Sequence, residues 1–155
     1  VNSYQRLCPG AWAPINMTWG IENRTTAFRA IKGGASTQRV ENRLPGADSN
    51  PYLALAATLG AGFLGIKEKI EPTKETIGGA YELKLEKKYQ VPSDLREAAK
   101  LFKNSDSAKY LFGEKFVNHF ANSRMWEFQE FQKSKNSFNT SSISLWELER
   151  YFEII

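Results

Sequence analysis

At 155 residues, 41% hydrophobic and 25% charged, the chain has the make-up of an ordinary globular domain, which excludes a disordered polypeptide and a cysteine-stapled scaffold. Its single cysteine, Cys8, excludes an intrachain disulfide and fits a reducing cytoplasm, and no apolar run approaches the roughly 20 residues of a membrane helix. The net charge of +4 comes largely from dispersed lysines rather than a basic stripe, which speaks against a nucleic-acid partner.

The chain opens on Val1 with no charged leader and no initiator methionine, so no signal peptide is visible and upstream sequence is expected. The first 46 residues read as short strands and turns. Pro9-Gly10 marks a turn before the apolar stretch Ala11 to Trp19. Thr25 to Ile31 and Gln38 to Leu44 are strand candidates, stopped by Gly33-Gly34 and Pro45-Gly46. From residue 50 the pattern turns helical. Asn50-Pro51 offers a cap and a first-turn proline, after which Leu53, Ala56, Ala57, Gly60 and Leu64 share one face. A loop is expected from Thr73 to Gly79, and a second helix from about Ser93 with Leu95, Ala98, Ala99 and Phe102 inward. A short helix should run from Ser105 to Gly113, followed by a long one carrying Phe116, Val117, Phe120, Phe128 and Phe131. Asn136 to Ser142 reads as a polar loop. Ser144 and Glu147 form a capping box for a last helix with Leu145, Leu148 and Phe152 inward. Strands in front and helices behind predict an α+β domain, strand-rich over 1–46 and helical over 50–155.

Five of the eight arginines (Arg6, Arg24, Arg29, Arg39 and Arg43) lie in the first 43 residues, where Lys32 is the only lysine. The arginine fork suits carboxylates and phosphates, so this region has the chemistry of an anion-recognition surface. In Arg39-Val40-Glu41-Asn42-Arg43, strand alternation puts Arg39, Glu41 and Arg43 on one face, about 13 Å from end to end. Spacing alone leaves two readings: a surface charge ladder, or a wall in which Glu41 holds a divalent cation and the arginines hold anionic oxygens. Arg24 and Arg29 would face opposite ways on a regular strand, so a shared site requires Arg24 at a strand end or bulge. Arg6 stands at a strand end before Pro9-Gly10. Trp12 is either a core aromatic or the lining of an entrance that meets a cation through its ring. His119 and the Phe stripe read as structural, and Cys8 has no nearby histidine to activate it. Gly33-Gly34 reads as a hairpin turn, and there is neither a GxxxxGK[ST] loop nor a dinucleotide fingerprint.

Four blocks in order resemble the glutamine synthetase family: Asn2-Ser3-Tyr4-Gln5-Arg6-Leu7 with Pro9-Gly10, Trp19-Gly20-Ile21-Glu22-Asn23-Arg24, Arg39-Val40-Glu41-Asn42-Arg43, and Ala47 to Leu55. Leu111-Phe112-Gly113 and Tyr151 to Ile155 resemble the family's C-terminal end more weakly. The resemblance implies the C-terminal portion of an α+β catalytic domain, with a partial antiparallel sheet and packed helices. It implies a cytoplasmic ligase of nitrogen metabolism: ATP phosphorylates the glutamate side-chain carboxylate, and ammonia or an organic amine displaces the phosphate. Position by position, Glu41 would be a Mg²⁺ or Mn²⁺ ligand, Arg29 and Arg39 would hold ATP phosphates, and Arg24 would stabilise the transferring phosphoryl group. Arg6 and Arg43 would contact glutamate. Where ammonia-using members carry a glutamate on the loop after Pro-Gly, this chain has Trp12, which resembles the branch that glutamylates polyamines and other organic amines. The family's remaining metal carboxylates and site histidine would lie upstream of Val1, so the chain alone is not expected to catalyse. A parent protein would form a homo-oligomeric ring with sites between subunits. A non-catalytic structural or interaction member of the family is the rival reading, and the retention of every matched ionic position argues against it.

Overall fold

A computed structural model describes residues 1–134 and 142–152. The expected polar loop from Asn136 lies outside the described residues up to Ser142, as do the last three residues of the C-terminal block. Two compact units make up the chain: residues 6–91, and residues 1–5 together with 92–155. With three strands and six α-helices among the described residues, the α+β class holds.

The sheet-bearing unit orders its strands β1 (Trp19–Ile21), β2 (Phe28–Ile31) and β3 (Arg39–Asn42) side by side. The pairing of β2 with β3 is antiparallel, but β1 runs parallel to β2, so the sheet is mixed rather than antiparallel throughout. A parallel pair normally needs a long crossover. Here β1 is so short that the six residues 22–27 span the return, about 10 Å. That loop is tied to itself: Asn23 Oδ1 accepts from the Thr25 amide and hydroxyl, and the Thr26 hydroxyl lies 2.9 Å from the carbonyls of both Asn23 and Phe28, with one proton to give to either. Of the apolar stretch Ala11 to Trp19, only Trp19 joins a strand, while Asn16 forms an isolated bridge with Gln90. Arg6 ends a one-turn helix, α1 (Ser3–Arg6), not a strand.

The interior of this unit is built from small residues. Ala13, Ala27 and Ala80 are buried beside Asn16, Thr18, Thr25 and Thr26, whose polar atoms are satisfied locally. Asn16 Nδ2 donates to the Ala80 carbonyl, and the Ala80 amide donates to Thr25 Oγ1. Asn23 Nδ2 donates to the carbonyls of Thr76 and Gly78. Net worth is about 1 kcal/mol for each such bond, less than the cost of leaving one buried group unpaired. Segment 73–79, expected as a loop, therefore lies clamped along β1. Gly20 makes this possible, since a Cβ there would stand 2.7 Å from the Thr76 carbonyl oxygen.

Helix α2 (Pro51–Lys67) starts as expected, with Asn50 Oδ1 accepting from the Leu53 amide. The face that Leu53, Ala56, Ala57, Gly60 and Leu64 share is not a buried one. Leu64 alone is buried, Ala56 and Ala57 are exposed, and so are Tyr52, Leu55, Leu59, Phe63 and Ile66. Because the helix is apolar on every side, its periodicity marks no single face.

The helical unit holds α3 (Leu95–Asn104), α4 (Asp106–Phe112), α5 (Glu114–Lys133) and α6 (Leu145–Tyr151). Asp94 caps α3 and Ser105 caps α4, each through its side-chain oxygen. Phe102, Phe112, Phe116 and Phe120 form one aromatic cluster at 5.7–6.2 Å between ring centroids, joining α3, α4 and α5. His119, read as structural, is exposed on α5.

The Ser144–Glu147 capping box forms, and Gln5 Nε2 donates to the other Glu147 oxygen at 2.6 Å. The predicted inward residues of α6 nonetheless point outward: Leu145, Leu148 and Phe152 are exposed. Trp146 packs edge-on against Phe131 instead, and buried Glu127 accepts from Arg150 Nε at 3.0 Å, Arg150 Nη2 at 2.8 Å and the Tyr151 hydroxyl at 2.8 Å. A buried carboxylate needs these donors more than the leucines need shelter, and that sets the rotation of α6.

The Arg150 hydrogen bonds hold the Glu127 carboxyl below its ordinary range, against the opposing effect of burial. A depressed native pKa stabilises the fold above the unfolded value of about 4.3, and the contribution is lost as pH falls through the native one. Glu127→Gln should therefore cost about 2 kcal/mol at pH 7, the open side of Arg150 screening part of the pair. In urea titrations followed by circular dichroism, the gap between variant and wild type should narrow as the pH is lowered below the unfolded value. A second outcome concerns α2: its exposed apolar surface should make the isolated chain self-associate. On gel filtration, Leu59→Glu with Phe63→Glu should restore a monomer.

Candidate functional site

The antiparallel register places Arg29 directly opposite Glu41, on the sheet face that Arg39 shares by alternation. Arg29 Nη1 donates to Glu41 Oε2 at 3.2 Å, and Arg43 Nη1 to Glu41 Oε1 at 2.7 Å. Glu22, just beyond β1, accepts from Arg29 Nη2. The result is an alternating ladder, Glu22–Arg29–Glu41–Arg43. Its hydrogen bond from Arg29 holds the Glu22 carboxyl below the ordinary carboxylate range, with Arg39 adding to the effect, and Arg29 is raised in turn by Glu22.

Arg43 ties the ladder to a second feature. Its Nη2 donates to the Trp12 carbonyl at 2.6 Å and its Nε to the Arg24 carbonyl at 3.1 Å. Trp12 and Arg24 line an open cleft of about 520 Å³ with Glu22, Glu75 and Ile77. Trp12 is 65% exposed, so it is not a core aromatic. Its φ of 53° and that of Glu22, 51°, are left-handed values that non-glycine residues rarely adopt. Arg24 stands in the loop 22–27, off the strand, which allows it and Arg29 to reach one region.

Arg6 and Arg39 are engaged differently. Arg6 donates to the carbonyls of Arg43 and Leu44 at 3.2 and 2.5 Å, pinning the exit of β3, while its Nε is buried without a partner among the described residues. Arg39 Nη1 turns back to the Thr37 carbonyl at the exposed strand end. Of the candidates, the structure gathers Trp12, Arg24, Arg29, Glu41 and Arg43 into one connected group, with Arg6 attached behind Arg43.

Glu22 went unassigned among the candidate residues. Its signal was an acid directly before the Asn-Arg pair, legible only as part of a motif.

Glu41 is the sole candidate metal ligand among these residues, and both of its oxygens face arginines. No group of three histidine, cysteine or acidic residues is placed to hold a metal among the described residues. A divalent cation needs several oxygen ligands, so the described residues by themselves do not complete a site for one. No helix among the described residues is long and apolar enough to cross a membrane.

The model of the glutamine synthetase catalytic domain matches residues 1–151. A glutamate–isopropylamine ligase of a Pseudomonas species is 43% identical over 155 residues, covering 100% of this chain and 32% of the relative. Type-1 glutamine synthetase 2 of Dictyostelium discoideum is 44% identical, covering 100% of this chain and 28% of its own length. A gamma-glutamylethanolamide synthetase of Streptomyces coelicolor is 42% identical over 99% of this chain and 30% of its own length. The chain thus spans about a third of the length of these curated relatives. With the motif blocks, the ladder and a match running from Val1 to Tyr151, the chain belongs to the glutamine synthetase catalytic-domain family.

Proposed function

We propose that this chain is the C-terminal portion of the catalytic domain of an ATP-dependent ligase, which joins the glutamate side-chain carboxylate to an amine through a γ-glutamyl phosphate. The observation that carries the reading is Arg43, which binds Glu41, Trp12 and Arg24 at once and so makes the ladder and the cleft a single site.

In this reading Arg29 and Arg39 hold ATP phosphates, and Arg24, free of strand geometry, meets the charge that develops on the transferring phosphoryl group. Arg6 and Arg43 contact the glutamate carboxylates. Each donates one hydrogen bond from each terminal nitrogen to this chain, which leaves one N–H on each for a ligand. Glu41 contributes one carboxylate to Mg²⁺ or Mn²⁺, the other ligands coming from outside this chain. When bound, the cation would neutralise phosphate charge. The parent protein is a homo-oligomeric ring in the reducing cytoplasm, with glutamate and an amine as its substrates.

The amine is an organic one. Trp12 stands exposed at a cleft that the Glu75 carboxylate also lines, an arrangement suited to an alkylammonium. Two of the relatives are named for isopropylamine and for an ethanolamide. The test is glutamate-dependent phosphate release from Mg-ATP by the parent protein, comparing ammonium with isopropylamine, ethanolamine and polyamines. Turnover chiefly with organic amines supports the reading; turnover with ammonium alone makes Trp12 a structural substitution. Trp12→Glu should move the organic-amine to ammonium ratio of kcat/KM about tenfold toward ammonium, the size expected for a lost cation–π contact. An unchanged ratio would count against a role for Trp12.

A further inference from the structure

We infer that Glu22 is a positioning residue for Arg29, a role that rests on Arg29 being a phosphate-binding residue of the proposed ligase. Three features of Glu22 support it. Its amide donates to the Ala30 carbonyl at 2.9 Å, carrying the β1–β2 ladder one residue past the end of β1. Its φ of 51° is left-handed, an unusual backbone for a non-glycine residue. Finally, its two oxygens take different partners: Oε2 accepts from Arg29 Nη2, and Oε1 from the Lys32 amide at 3.2 Å, directly after β2. Glu22 thus clamps the Arg29 side chain to the strand that carries it.

Arg29 depends on this clamp. Its Nε is buried and has no partner among the described residues, so its orientation rests on the carboxylates at its two terminal nitrogens. One of these, Glu41, is shared and lies closer to Arg43, at 2.7 Å, than to Arg29, at 3.2 Å. Glu22 is bound to no other side chain in the ladder. It therefore keeps Arg29 in place whichever way Glu41 turns, and a guanidinium held at both ends presents its remaining N–H groups in one fixed direction. Left-handed backbone at a non-glycine residue persists where its surroundings over-determine it, and such sites concentrate where geometry serves function.

Orientation of this kind acts on the transition state more than on binding. Phosphate release by the parent protein should show Glu22→Gln lowering kcat about tenfold, with the KM for ATP within twofold and the melting temperature unchanged. Glu71→Gln, an exposed acid elsewhere in the same unit, serves as the control and should leave all three unchanged. An active wild type with kcat of Glu22→Gln within twofold of it would overturn the inference alone. So would a loss that tracks a lowered melting temperature, which would make Glu22 merely structural, or a raised KM with kcat intact. A wild type without glutamate-dependent turnover would remove the ligase reading and this inference with it.

Discussion

The site hangs on one cross-strand pair, Arg29 opposite Glu41. Side chains alternate along a strand, so a slip of one residue between β2 and β3 would send one partner to the other face and dissolve the ladder. With the register kept, Glu41 can bridge Arg29 and Arg43, and Arg43 can reach the Trp12 and Arg24 carbonyls. Solvent-accessible ion pairs add little net stability. Their worth in this site is geometric: separate stretches of the first 43 residues are fixed around one patch of guanidinium groups.

The scaffold beneath is unlike the helical unit. Around the sheet, alanines and threonines sit close enough for side-chain-to-backbone hydrogen bonds to bind loop 22–27 to segment 75–80. Gly20 admits that segment by lacking a Cβ. The helical unit instead relies on a phenylalanine cluster and on the Glu127–Arg150–Tyr151 group. Polar clamping near the site fixes donors and acceptors in direction, which apolar packing does less strictly.

What the sequence made legible was local. Asn50 and Ser144 announced their helices because capping oxygens are read from residue type and spacing, and Gly113, read as the end of α4, separates it from α5 at a φ of 79°. The arginines and Glu41 were legible as anion chemistry from composition and as a family pattern from their order. Their connections were not. The parallel pairing of β1 and β2 depends on the tightness of loop 22–27, which comes from Asn23 and Thr26 contacts that no periodicity encodes. The left-handed backbone at Trp12 and Glu22 carries no glycine to advertise it. In α6, leucine spacing pointed to the wrong face because a buried carboxylate on another helix governs the packing.

If the arginines held by this ladder serve phosphoryl transfer from ATP to glutamate, the reaction must pass through a γ-glutamyl phosphate. The most direct test is positional isotope exchange in the parent protein, using ATP labelled with ¹⁸O at the β–γ bridge and no amine present. The label is expected to scramble only when glutamate is added, because reversible formation of the acyl phosphate frees the β-phosphate to rotate. Absence of scrambling with glutamate, in a protein that releases phosphate once the amine is added, would contradict a reversibly formed γ-glutamyl phosphate and, with it, the ladder's role in phosphoryl transfer.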